Sequence, residues 1–315
     1  MRRLTAFTIL AAMCAALVLG TCGRAAAAEK YNFGVTVLKG LSMGSLSQMM
    51  KELAKVLSKK INADVAVKEM PYEKGGDEVI FQKVLKEMKA GKLDFALVQS
   101  PMQYLKYKAQ ADAAMTPFFA MAINGKPGGR VCAFVNKNST AKTIADLKGK
   151  TYGGSHTLQM RVLMNSENIN VPMKSFYKNV VFIDDTDLTN PMNALINNKI
   201  DVYSTISYLG DMARGANKEY LTNIKVLKCA DFEHNWIFVH RKGVSPEVVE
   251  KVRTIMINAH KDKDFNQFKF MMTAIKGKFV GFDPANLKTT AKLVELNKKY
   301  GWEKEEHTFI KSNMK

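Results

Sequence analysis

From Tyr31 onward the chain alternates short β-branched or apolar runs with longer stretches whose apolar residues return every three or four positions. That rhythm is the mark of an α/β fold built on mainly parallel sheet. The spacing predicts a strand over 31–38 and a helix over 45–61, with Leu46, Met49, Met50, Leu53, Val56 and Leu57 along one face. A strand over 64–69 follows, then a helix over 77–89 with Val79, Ile80, Val84, Leu85 and Met88 turned inward. Gly91 is placed as its C-cap, and a third strand runs over 93–99.

A second series repeats the pattern: a short helix at 144–147, a strand at 150–153, a helix at 158–165, a strand at 180–184, a helix at 190–197 and a strand at 200–204. The two series share a phrase. In the first, Gly91-Lys92-Leu93-Asp94-Phe95-Ala96-Leu97-Val98 leads to Ser100, and in the second Asn198-Lys199-Ile200-Asp201-Val202-Tyr203 leads to Ser204. Between the series, 118–123 and 131–135 flank a Gly- and Pro-rich turn and read as a long hairpin, and a further strand lies over 236–240. Two extended segments bracketing an inner block are what a two-strand hinge requires. This places residues 29–131 and 236–315 in one lobe and 132–235 in the other, with helices at 246–260 and 286–298 in the tail.

The first 28 residues have the layout of a secretory signal: Arg2-Arg3, an apolar run from Leu4 to Leu19, and Ala25 to Ala28 before Glu29-Lys30. The run falls short of the roughly 20 residues a membrane span needs. Leu19-Gly20-Thr21-Cys22 offers a second route, acylation at Cys22, but Thr21 fits a lipoprotein box poorly and cleavage after Ala28 is preferred. The expectation is an exported, periplasmic protein of 287 residues, enough for two cored lobes. Losing Arg2, Arg3 and Arg24 leaves 44 basic against 29 acidic residues, a net of +15. Such an excess favours small anionic solutes, acidic polymers or anionic headgroups. Nucleic acid is not expected, because the Lys residues are scattered along amphipathic segments without a basic-aromatic block. Outside the signal only Cys132 and Cys229 remain, in predicted strands; they are either one disulfide or two separate buried thiols.

The order of pieces resembles the periplasmic solute-binding proteins of the type II fold, and within them the phosphate, phosphite and phosphonate binding components of ABC transporters. The resemblance spans residues 31–280. Its anchors are Gly91 to Val98 with Tyr104 following, Ile144-Ala145-Asp146-Leu147-Lys148-Gly149-Lys150-Thr151-Tyr152, and Ala194-Leu195-Ile196-Asn197-Asn198-Lys199-Ile200-Asp201-Val202. It implies a two-lobed fold whose oxyanion ligand is held by hydroxyls and backbone amides where a helix begins after the Asp-Leu-Lys-Gly-Lys strand. Here that stretch is Gly153-Gly154-Ser155-His156-Thr157, with His156 inside the motif and Leu158 where glycine is common. Exposed N–H groups, the positive end of a helix dipole and two hydroxyls suit an anion on physical grounds alone. On the facing lobe the resemblance points to Ser42, Ser45, Tyr72, Ser100 and Tyr104. Asp184, Asp185 and Asp201 stand where members that bind amino-phosphonates use acids to hold the amine. Each has a structural alternative: Ser45 as a helix N-cap, Asp201 closing its turn, Tyr104 packing on the lobe.

An enzyme on this fold would need a nucleophile with a base, a metal cluster or a cofactor fingerprint. The five His make no ligand pair at helical spacing, and no glycine-rich phosphate loop, Gly-x-Ser-x-Gly or haem site is present. The reading is therefore a monomeric receptor without catalytic residues, cofactor or metal, which passes a small anionic solute to the membrane permease of an ABC transporter. A periplasmic sensing subunit for a signalling partner is the alternative, as is a receptor of the same fold for a thiamine precursor or a carboxylate.

Overall fold

The computed structural model describes residues 29–313 apart from 38–43, 72–75, 124–125, 128, 186, 216, 233–235, 267–268, 270–271 and 274–275. The expected signal segment, and Ser42 and Tyr72 among the site candidates, lie outside the described residues.

In chain order, the first lobe opens with β1 (Lys30–Val37), α1 (Gly44–Ile61), β2 (Asp64–Pro71), α2 (Gly76–Lys89) and β3 (Phe95–Val98). It continues with α3 (Pro101–Lys106), α4 (Lys108–Ala114), β4 (Met115–Ile123) and β5 (Lys126–Pro127). The second lobe holds β6 (Gly129–Asn136), β7 (Thr151–Gly154), α5 (Leu158–Ser166), α6 (Met173–Phe176), β8 (Asn179–Phe182), α7 (Thr189–Ile196), β9 (Val202–Ile206), α8 (Ser207–Gly215), α9 (Lys218–Asn223) and β10 (Ile224–Phe232). The chain then returns through β11 (Ile237–Arg241), α10 (Pro246–Asn258) and β12 (Gly277–Gly281), and ends in α11 (Lys288–Tyr300) and α12 (Trp302–Asn313).

Among the described residues the strands form two mixed sheets. The first has the order β12-β4-β11-β3-β1-β2, with β5 beside β4, and the second the order β10-β6-β9-β7-β8. β1 runs parallel to β2 and β3, and β7 parallel to β8 and β9, whereas β11 and β6 are antiparallel to their neighbours. Alternation along the strands gives each sheet an apolar layer on both faces. Phe33, Val35, Phe95 and Leu97 join the layer under α1 and α10, while Ala96 and Val98 join the one under α2. In the second sheet Val131, Ala133 and Val135 point to one layer and Cys132 and Phe134 to the other. Cys132 and Cys229, opposite each other on β6 and β10, are joined by a disulfide.

The shared phrase has a shared structure. Gly91 and Asn198 both take left-handed backbone, at φ 67° and 53°, directly after α2 and α7. The following amides, Lys92 N–H and Lys199 N–H, close back on Glu87 O and Ala194 O at 2.9 Å. Glycine and asparagine are the residues that tolerate this helix stop. The acid two residues on then latches the neighbouring strand: Asp94 Oδ2 accepts from Asn32 N–H at 2.9 Å, and Asp201 Oδ2 from Thr151 N–H at 2.7 Å.

One expectation is corrected. The segments at 118–123 and 131–135 do not form a long hairpin, because β4 and β6 belong to different sheets. Only β5 folds back on β4, pairing Pro127 with Ala122 and Lys126 with Ile123. Both long strands are almost wholly buried, so each needs partners on both sides: β4 finds β11 and β12, and β6 finds β9 and β10. The chain therefore passes between the sheets twice, from β5 to β6 and from β10 to β11.

Candidate functional site

The turn Gly154 to Thr157 leaves β7 and enters α5, and its shape is set from beneath by Tyr152. That ring is fully buried. Its hydroxyl donates to His156 O and lies 3.2 Å from Ser204 Oγ on β9. A side chain at Gly154 would bring its Cβ to 2.7 Å from this hydroxyl, and one at Gly153 would strike Ile200 at 2.5 Å. The paired glycines let the buried tyrosine and Ile200 approach the backbone and so fix where the next three residues point.

Those three residues face carboxylates. Ser155 Oγ donates to Asp185 Oδ1, and Tyr203 OH donates to Asp185 Oδ2 at 3.2 Å. Thr157, the N-cap of α5, makes no capping bond with its own side chain. Its N–H donates to Glu306 Oε2 at 2.7 Å and its hydroxyl donates to the same oxygen. His156 Nδ1 meets the other carboxylate oxygen, Oε1, at 3.3 Å. The N-terminus of α5 thus holds an anion, and that anion is the side chain of Glu306 from α12.

His156 stands partly exposed beside Glu306 of α12. Burial disfavours its charge, but the hydrogen bond to Glu306 and the negative charges of Glu306, Asp185 and Asp77 outweigh it and raise the imidazole to about 9. The opposition is softened because 38% of the side chain still meets solvent. Asp77, whose charge is felt at His156, belongs to the first turn of α2 in the first lobe. There Asp77, Ile80, Phe81, Val84, Leu97, Val98, Gln99 and Ser100 line a small hollow at the carboxyl end of β3. Ser100 caps α3 through its backbone and its hydroxyl makes no capping bond. Strand carboxyl ends facing a gap are where open α/β sheets place their ligands.

The other candidates lie as follows. Tyr104 is buried under the first lobe, its hydroxyl 2.5 Å from Asp112 Oδ1. Asp201 latches Thr151 at the opposite end of its sheet from His156. Asp184 is exposed beside Asp185, and its carbonyl accepts from Asn190 Nδ2 at 3.0 Å. Ser45 falls in the first turn of α1. Among the described residues no cluster of three or more His, Cys, Asp or Glu side chains is arranged to hold a metal ion, and no helix is long and apolar enough to cross a membrane.

Asp77 and Glu306 stand outside every motif read from the sequence. Glu306 arrives because α12 docks on the second lobe: Trp302 is buried in that lobe's core, Phe309 lies against Phe182, and Glu305 pairs with the buried Arg161 and accepts from Met173 N–H at 3.1 Å. The only available signal was the spacing of Trp302, Glu305, Glu306 and Phe309, one face of a helix at i, i+3, i+4 and i+7.

The same two-lobed architecture recurs in solved binding proteins. PhnD1 from Prochlorococcus marinus in complex with methylphosphonate aligns with a TM-score of 0.63 at 14% identity, over 87% of this chain and 98% of that one. A binding protein component of an ABC phosphonate transporter from Pseudomonas aeruginosa aligns with a TM-score of 0.57 at 16% identity, over 88% and 97%. The periplasmic aliphatic sulphonate binding protein SsuA from Escherichia coli gives a TM-score of 0.56 at 12% identity, over 87% and 88%. At these identities the likeness shows the fold. Residues 36–289 match the family described as ABC transporter, phosphonate, periplasmic substrate-binding protein. With that match spanning most of its length, this chain belongs to the phosphonate-type periplasmic substrate-binding proteins of ABC transporters, a family of binding proteins and not of enzymes.

Proposed function

We propose that this protein captures a small anionic solute of phosphonate or phosphate type between its lobes and delivers it, as a monomer, to an ABC permease. The observation that carries this reading is the carboxylate already seated at the N-terminus of α5 on the N–H and hydroxyl of Thr157. A site that satisfies one oxyanion offers the same donors to another. Ser155, His156 and Thr157 supply the second lobe's contacts, and Ser100 beside its hollow contributes from the first. Asp184 and Asp185 lie where a cationic group on the solute would meet acids. Ser42, Ser45 and Tyr72 are carried only as positions matching the family's first-lobe contacts. Residues 1–28 are read as a signal removed on export to the periplasm, with cleavage after Ala28 taking Cys22 away with it; intact mass of the exported protein checks this.

Micromolar binding requires about 8 kcal/mol, and each hydrogen bond to a charged group supplies about 1.5–3 kcal/mol. Four or five donors therefore suffice once the lobes close and exclude water. A thermal-shift screen of phosphate, phosphite, methylphosphonate, sulfate, carboxylates and amino acids is expected to raise the melting temperature for the phosphorus oxyanions. Replacing Ser155→Ala together with Thr157→Ala should weaken that binding by about tenfold or more, the loss of one to two charge-assisted bonds. Undiminished affinity in the double variant removes the anion seat from α5.

A further inference from the structure

The anion seat is filled from within, and what fills it is held in an unusual way. α12 is fixed to the second lobe by Trp302 and Phe309, both buried, and by the pair between Glu305 and Arg161, whose guanidinium lies 5.0 Å from the Trp302 ring. Gly301, at φ 66° with nothing within 4 Å of where a Cβ would stand, makes the joint between α11 and α12. Three of the four residues on the docked face thus serve as anchors. The fourth, Glu306, does no packing of that kind: its side chain is 20% exposed and its carboxylate reaches past the anchors to Thr157 and His156.

We propose that Glu306 is a tethered competitor for the solute's oxyanion, a side chain that occupies the seat at α5 until a ligand displaces it and that thereby sets which anions bind. This rests on the reading of that seat as the solute's site. The anchors make release of the whole helix costly, so displacement is a swing of the Glu306 side chain alone while α12 stays docked. Electrostatics push the same way. With Glu306 in place, a ligand anion entering beside His156 faces Asp77, Asp185 and Glu306. With Glu306 turned to solvent, His156 and the Thr157 donors are left to the ligand.

The consequence is an affinity threshold that only strong anions clear. A tethered group competes at the high effective concentration its short link provides. A carboxylate solute offers two oxygens and one charge, the same as Glu306, and has no advantage over it. A phosphonate brings a third oxygen and a second charge, which Glu306 cannot match.

Calorimetric titration of the full mature chain with methylphosphonate, phosphate and acetate tests this in wild type, Glu306→Ala and the near-isosteric Glu306→Gln, with circular dichroism confirming the fold. Both variants are expected to bind methylphosphonate at least tenfold more tightly than wild type, and to gain acetate binding by a similar factor. Hydrogen exchange over α12 should stay slow when methylphosphonate is added to wild type. Equal methylphosphonate affinity in all three proteins, or weaker binding in the variants, overturns the competitor and leaves the receptor reading standing. Binding of no oxyanion by any of the three overturns the anion-receptor reading and the competitor with it.

Discussion

His156 is where burial and three carboxylates are set against one another, and its titration follows from the balance. Burial opposes the charge, while the Glu306 hydrogen bond and the charges of Glu306, Asp185 and Asp77 favour it and carry the group to about 9 in the folded chain. The unfolded chain has the ordinary value of about 6.5. Between these values the folded state binds more protons, so stability from this residue is complete below about pH 6.5 and drains away as pH rises through about 9. Urea unfolding of wild type and His156→Gln from pH 6 to 10 should show the wild-type advantage shrinking across that window; a constant difference would mean the imidazole is not held charged. Asp201 behaves otherwise. Its carboxylate accepts one backbone N–H from Thr151, at the opposite end of the sheet from His156, so Asp201→Asn should cost about 1 kcal/mol of stability and leave affinity for methylphosphonate untouched. A tenfold loss of affinity there would return this residue to the ligand.

α12 shows where reading the chain as a string of periods succeeds and where it stops. The β/α series was legible because buried strands and amphipathic helices impose periods of two and 3.6 on apolar residues. The repeated turn was legible because a left-handed helix stop demands Gly91 or Asn198. Ser155, His156 and Thr157 could be placed together because they are contiguous and open a helix. α12 was not legible, since half of its docked face is glutamate and glutamates ordinarily mark the solvated side. Only the partner surface, a buried Arg161 and an uncapped helix start, turns Glu305 and Glu306 into inward-facing groups. Tyr104 is placed by its helix: α3 turns it under the lobe toward Asp112. The anchoring role of α12 is testable through its largest side chain. Trp302→Ala should cost about 3–5 kcal/mol, the usual penalty for emptying a buried aromatic position; a change below about 1 kcal/mol would mean that α12 is not docked in solution.

The two sheets are joined by more than a pair of crossover strands. Besides the passages from β5 to β6 and from β10 to β11, the tail makes a third link. α11 rests on α3 of the first lobe, where Asn297 Nδ2 lies 3.2 Å from Met102 Sδ, while α12 is docked on the second. Lys106 on α3 also pairs with Glu303, at the start of α12. The disulfide closes 97 residues of chain beside both crossover strands, and its loss should cost about 2–5 kcal/mol. A lobe held at two adjacent strands can swing widely, but a third attachment on the tail side limits the swing to motions that keep α11 and α12 in register with both lobes. Small-angle scattering measures this directly. Unliganded Trp302→Ala, with α12 loosened, should have a larger radius of gyration than wild type and should contract more when methylphosphonate is added. If both proteins contract by the same amount, the tail is a passenger and the two crossover strands alone govern closure.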